Sequence, residues 1–322
     1  MLLTIKNLKT YFYSSEGTAK AVDGISLNID RSETVCVVGE SGSGKTLTAL
    51  SIMRLVPFPG EIVEGDIYFK SKNGNVNLFD IPEEDMIDIR GGEISMIFQE
   101  PFSCLNPVFT IGNQIGESVR LHLKLKGEEA KSKVKESLDL VGIPDVDRIV
   151  KSYPHELSGG MRQRVMIAMG LITNPKLLIA DEPTTALDVT IQAQILRLIA
   201  DIRKKLNLSV LLITHDLGIV HEIADRIYVM YAGKIVETGV KAAMFKKPLH
   251  PYTEGLIKSI PDIGKVRNRL YTIKGAIPDA MNLPKACRFH PRCPYVMDIC
   301  RKEEPKETKI SGNRSVWCHK YN

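Results

Sequence analysis

The chain has 322 residues, 43% of them hydrophobic and 25% charged, with a net charge of +5, which gives room for one large core and a small second unit. Its longest apolar runs, such as SVLLIT, fall far short of the roughly 18 to 20 residues that cross a bilayer, so no transmembrane helix is expected. The N-terminal run MLLTIKNLKTYFY lacks the basic start, apolar stretch and cleavage site of a secretory signal, and a cytoplasmic location follows. In that reducing compartment, clustered cysteines point to metal or cluster ligands rather than disulfides. The modest positive charge demands no nucleic-acid partner, and none is expected.

In chain order, the first thirty residues and the segments GDIYF and NVNLF read as antiparallel strands. The runs TVCVVG (34–39), EISMIF (93–98), KLLIAD (176–181) and LSVLLIT (208–214) are nearly continuous apolar strands of the kind covered on both faces. Helical periodicity places Ala130, Val134, Leu138 and Val141 on one face, and Ile191, Ile195, Leu198, Ile199, Ile202 and Leu206 on another. The alternation predicts an α/β domain with a mainly parallel sheet. RIYVMYAGKIVETG reads as a hairpin turning at Ala232 and Gly233. After residue 245 prolines interrupt every pattern, so the boundary is drawn there: a domain over 1–245 and a small module over 246–322 that cannot build much core alone.

GESGSGKT, Gly39 to Thr46, follows a strand and opens a helical run, which is the full context of a phosphate-binding loop. Its glycines let backbone N–H groups converge on a phosphate chain, so Ser41, Gly42, Ser43, Gly44, Lys45, Thr46 and Leu47 are the expected contacts. Lys45 is expected to bridge the β- and γ-phosphates of a nucleotide, and the Thr46 hydroxyl to hold Mg²⁺. LLIADEP ends an apolar strand on Asp181, a candidate Mg²⁺ ligand, and places Glu182 next to it as the base for a water. Two adjacent acids at the end of a buried strand are costly unless a cation and a substrate lie between them.

ELSGGMRQR, residues 156–164, resembles the signature of the ATP-binding-cassette (ABC) family. The resemblance implies a P-loop cassette with a RecA-like core, an antiparallel β subdomain and a helical subdomain at about 100–165. It implies that Ser158, Gly159, Gly160 and Gln163 close on the ATP of a second protomer in a head-to-tail dimer, with Asp188 of TALD at the interface. Gln99 matches the family's Q-loop glutamine, a further Mg²⁺ contact, and His215 matches its switch histidine; both join Glu182 as catalytic residues. For the adenine ring the candidates are Phe12 and, second, Tyr13, with Val22 beside them.

Closer resemblance runs through EISMIFQEPFSCLNPVFTIGNQI, the signature segment and the tail HPYTEGLIKSIP to CRFHPRCPYVMDIC. These look like ATP-binding subunits of dipeptide, oligopeptide and nickel importers. The resemblance implies a peripheral ATPase at the cytoplasmic face of the membrane that powers peptide import, with nickel as an alternative cargo. Its implied partners are a second homologous ATPase subunit or another copy of itself, two permeases, and an extracellular peptide-binding protein. The segment 102–115 is then the expected permease contact. A soluble switch with a redox-sensing tail is the alternative from another class. Cys287, Cys293, Cys300 and Cys318 lack paired Cys-x-x-Cys knuckles, but four thiolates suit zinc or an iron-sulfur cluster. The resemblance tilts this toward a [4Fe-4S] cluster, with Zn²⁺ the alternative.

Overall fold

The structure is a computed structural model that describes residues 1–99, 104–185, 187–260 and 271–322. The antiparallel part comes first. Strands β1 (Leu3–Ser14), β2 (Gly17–Ile29), β4 (Gly60–Ser71) and β5 (Gly74–Asn77) form a sheet in the order β2-β1-β4-β5. A larger sheet, in the order β11-β12-β10-β9-β3-β8-β7-β6, lies against it. Its members are β3 (Thr34–Val38), β6 (Ile94–Ile97), β7 (Leu177–Asp181), β8 (Ser209–Thr214), β9 (Arg226–Tyr231), β10 (Lys234–Val240), β11 (Glu307–Ser311) and β12 (Arg314–Trp317). From β9 to β6 the neighbours run parallel, as the continuous apolar runs require; beyond β9 they turn antiparallel.

The pleat of these strands divides the core in two. In β3, Val35 and Val37 pack with Leu3, Ile5, Leu27 and Ile67 of the antiparallel sheet, while Cys36 and Val38 face the opposite layer. There they join Ile115, Val134, Leu138 and Ile195 from α3 (Ile111–Ser118), α4 (Gly127–Leu140) and α7 (Val189–Leu206). Helix α1 (Lys45–Ile52) leaves β3 through the P-loop, and α2 (Glu83–Ile89) precedes β6. The short α5 (Val146–Ile149) leads to α6 (Gly159–Leu171), the signature helix.

Ala232 and Gly233 make the β9–β10 turn with φ of +46° and +80°, the left-handed pair that a two-residue hairpin requires. Between β8 and β9 lies α8 (Leu217–Ile223); α9 (Lys241–Lys246) and α10 (Pro251–Lys258) follow β10. The tail then comes back to the main sheet, where β12 pairs with β10, Glu237 opposite Val316 and Thr238 opposite Ser315. Glu237, wholly buried, binds this return in place. Its carboxylate accepts from the Leu249 and His250 N–H groups and from the Arg314 guanidinium at 2.9 Å. Among the described residues no helix is long and apolar enough to cross a membrane.

Candidate active site

The P-loop joins the end of β3 to α1, so both its strand and its helix are fixed by core packing. Gly44 caps α1 at φ +101°, and a Cβ there would lie 2.3 Å from the Ala21 carbonyl oxygen, so only glycine fits. Lys45 is buried, and its Nζ donates to the Gly39 and Glu40 carbonyls at 2.9 and 3.0 Å. Burial lowers its pKa, against the pull of the Glu182, Asp181 and Glu40 charges. The Thr46 hydroxyl donates to Asp181 Oδ1 at 3.3 Å, which puts a hydroxyl and a carboxylate around one point. This oxygen pair fits Mg²⁺.

Glu182 follows Asp181 with φ +45°, a left-handed backbone that is costly for a glutamate. Its N–H donates to the Ile213 carbonyl at 2.9 Å, which holds the turn against β8. Three side chains converge on its carboxylate. His215 Nδ1 lies 3.0 Å from Oε1, while Gln99 Nε2 and Thr185 Oγ1 donate to Oε2 at 3.1 and 2.9 Å. Burial works against the charge, but the hydrogen bonds from His215 and Thr185 with the His215 and Lys45 charges outweigh it. The carboxyl is therefore held below the ordinary glutamate range. His215 is itself 64% exposed, so it can meet a phosphate and Glu182 together.

The signature residues stand apart from this cluster. Ser158 caps α6 by accepting from the Met161 N–H at 3.3 Å, and Gly159 and Gly160 lie against Leu187 and Ile191. Asp188 caps α7 by accepting from the Ile191 N–H at 2.9 Å. Gln163 is buried, and its Nε2 has no hydrogen-bond partner among the described residues.

Of the residues expected at the adenine ring, Phe12 lies with its ring against Gly60, Tyr13 is 43% exposed, and Val22 is buried. Part of the expected permease contact, residues 102 and 103, lies outside the described residues. The remainder leaves Val108 and Phe109 exposed.

The four tail cysteines, far apart in sequence, line one small cavity of about 20 Å³ with Phe289, Tyr295 and Met297. Each of Cys287, Cys293 and Cys318 accepts a backbone N–H two residues on, from Phe289, Tyr295 and Lys320. Burial pushes the Cys287 thiol up to about 11, and the neighbouring thiols push the same way. Among the described residues no group of three or more His, Cys, Asp or Glu stands close enough to hold a metal ion, so the expected zinc or cluster site is not present as a closed ligand set.

Thr185 and Tyr252 join the site without having been expected. Thr185 sits three residues after Glu182, a spacing that could have revealed it. The Tyr252 hydroxyl accepts the Glu40 N–H at 2.8 Å across 212 positions, and no local pattern signals that.

Comparison with known proteins shows the family of the chain. Residues 22–185 match the ABC transporter family, and residues 236–300 match the C-terminal region of oligopeptide/dipeptide transporters. The chain is 53% identical over 321 residues to the oligopeptide transport ATP-binding protein AppD of Bacillus subtilis, covering 99% of this chain and 97% of AppD. It is 47% identical over 318 residues to the dipeptide transport ATP-binding protein DppD of the same organism, covering 98% and 94%. Among solved structures, the dimeric ATP-binding cassette MJ0796 in a post-hydrolysis state with ADP and Pi is similar at a TM-score of 0.65 and 27% identity. That match covers 74% of this chain and 98% of MJ0796. With both family regions in order along one sequence and near-full-length similarity to AppD and DppD, this chain belongs to the ABC transporter family, in the branch of oligopeptide and dipeptide transport ATP-binding proteins.

Proposed function

We propose that this chain hydrolyses ATP to power the import of dipeptides or oligopeptides. In this reading it sits peripherally at the cytoplasmic face of the membrane and pairs head-to-tail with a homologous ATPase subunit or a second copy of itself. Two permeases and an extracellular peptide-binding protein complete the assembly. The observation that carries the reading is the convergence of Gln99, Thr185 and His215 on Glu182, next to the Thr46–Asp181 pair.

The chemistry follows from what each group is free to do. The P-loop N–H groups and Lys45 cradle the β- and γ-phosphates, exchanging the Gly39 and Glu40 carbonyls for phosphate oxygens. Thr46, Gln99 and Asp181 would hold Mg²⁺, which would supply positive charge against the phosphates. Glu182 accepts the proton of the attacking water, and its fixed partners hold the carboxylate in line. His215 keeps Glu182 oriented and offers a donor to the γ-phosphate. Ser158, Gly159, Gly160, Gln163 and Asp188 belong, in this reading, to closure on the partner's ATP, with Phe12 or Tyr13 stacking on adenine beside Val22.

The same reading divides the chain at residue 245 and gives the tail a [4Fe-4S] cluster on Cys287, Cys293, Cys300 and Cys318. Support comes from their common cavity; burial, which keeps the Cys287 thiol up at about 11 against its N–H donor, and the lack of a closed ligand set among the described residues stand against it. The cluster would staple a segment poor in core, and ATP hydrolysis needs no step from it. Anaerobically purified protein should be brown and contain iron, and Cys293→Ser should remove both; a colourless protein with one bound zinc contradicts the cluster.

Uptake tests the transport reading. Cells lacking this chain should fail to grow when a required amino acid is supplied only as a dipeptide or oligopeptide, and the wild-type chain should restore growth. Undiminished peptide uptake with lost nickel uptake favours the metal cargo. A permease-free complex with a soluble partner, with both uptakes intact, favours the switch.

A further inference from the structure

Glu40, the second residue of the P-loop, carries an acid into a site built to receive phosphate. Its carboxylate meets the Arg292 guanidinium in a bidentate pair, Nη1 to Oε2 at 2.8 Å and Nη2 to Oε1 at 3.1 Å, across 252 positions. Arg292 is only 6% exposed and is held from every side. Its Nε donates to the Lys274 carbonyl at 3.0 Å, Nη1 also reaches the Tyr231 hydroxyl at 3.4 Å, and the guanidinium lies 5.7 Å from the centre of the Tyr231 ring. Such a fork matches one carboxylate in one orientation.

The Glu40 backbone is engaged as well: its N–H donates to the Tyr252 hydroxyl, and its carbonyl accepts from Lys45 Nζ and from the Ser43 N–H. Two of these grips, Tyr252 and Arg292, come from the segment beyond residue 245. A second arginine repeats the pattern. Arg288 pairs with Asp23, whose N–H donates to the Gly233 carbonyl, and the Gly233 N–H in turn donates to the Ser43 carbonyl of the P-loop. Arg288 follows Cys287 directly, and Arg292 precedes Cys293 directly, so both struts leave from the cysteine-bearing turn.

We propose that Arg292 is a positioning residue for nucleotide: by pairing with Glu40 it cancels an acid beside the phosphates and fixes the P-loop backbone on which Lys45 rests. The tail thereby sets the ATP affinity of the cassette. This rests on the P-loop holding the phosphates, which Lys45→Ala tests separately, since that change should abolish nucleotide binding whatever Arg292 does.

A cycle of three variants of the full chain, read by binding of a fluorescent ATP analogue with Mg²⁺ and by thermal unfolding, tests the pairing. Arg292→Gln leaves the Glu40 charge uncancelled and should weaken nucleotide binding about tenfold, raise KM in step with Kd and leave kcat within about twofold. Raising the salt concentration should shrink the loss, because the repulsion is screened. Glu40→Gln alone breaks the same fork but leaves no uncancelled acid, so it should weaken binding less than Arg292→Gln does, and adding it to Arg292→Gln should recover the part of the loss that comes from charge. Unchanged affinity in Arg292→Gln overturns the proposal. So does a double variant as weak as Arg292→Gln alone, because the loss would then not run through Glu40. If Arg292→Gln fails to fold, Arg292→Lys provides the comparison: it keeps the charge but loses the fork, and affinity equal to wild type at every salt concentration would overturn the fixed-backbone half of the claim.

Discussion

Thr46 and Asp181, 135 positions apart, meet at 3.3 Å because β7 and β3 both pair with β8, which brings their ends to one edge. Asp181 is 1% exposed, and burial pushes its carboxyl up to about 6 in spite of the Thr46 hydroxyl; Glu182 adds to the rise and Lys45 opposes it. An unfolded aspartate titrates near 3.9, so from about pH 4 to 6 the folded chain keeps a proton that the unfolded chain releases. Without Mg²⁺ and nucleotide, the contribution of Asp181 to stability is fully present below this window and is lost as pH rises through it, on the order of 3 kcal/mol. Asp181→Asn should remove that slope from the unfolding temperature and raise it at pH 7.5. A slope unchanged by the substitution would show that the charge is not carried there.

Thr185→Val should act on the base without touching the phosphates. The hydroxyl favours the charged form of Glu182, and its loss should raise the carboxyl pKa and move the acid limb of the kcat–pH profile upward. The affinity for ATP should stay within about threefold of wild type. An unmoved acid limb would take Glu182 out of the role of base.

Glu237→Ala tests how the tail is attached. This carboxylate is wholly buried and pairs with Arg314 at 2.9 Å while accepting two backbone N–H groups, so its removal strands a buried charge. The expected loss is about 3–5 kcal/mol by chemical denaturation. A loss below about 1 kcal/mol would mean that the return of β12 to β10 is held by something else.

Much of the fold is legible because its patterns are local. The runs at 34–39, 176–181 and 208–214 announce buried parallel strands, and Ala130, Val134, Leu138 and Val141 fall on one buried helix face as their spacing predicts. Ala232 and Gly233 announce their turn. The candidate catalytic cluster is legible for a similar reason: Glu182, Gln99 and His215 each stand at a strand end, and a parallel sheet gathers its strand ends at one edge. The tail is not legible in this way. The hairpin of β11 and β12 contains no proline, but both strands are short, and β10, the partner that ties β12 to the main sheet, is supplied by distant sequence. The grip of Arg292 and Tyr252 on Glu40 depends on chain positions more than 200 residues apart, which no periodicity encodes. Asp188, expected at a protomer interface, is seen capping α7, a role that its place before a helical run also permits.

The most direct measurement is ATP turnover by the Glu182→Gln variant, alongside nucleotide binding by the same protein. The amide keeps the size of the side chain and the Thr185 and His215 contacts within reach but cannot take a proton from water. ATP binding should remain within about threefold of wild type, with turnover down by at least about a hundredfold. Hydrolysis at the wild-type rate with binding intact would contradict the account at its centre, because the carboxylate that Gln99, Thr185 and His215 hold in place would then not be the base.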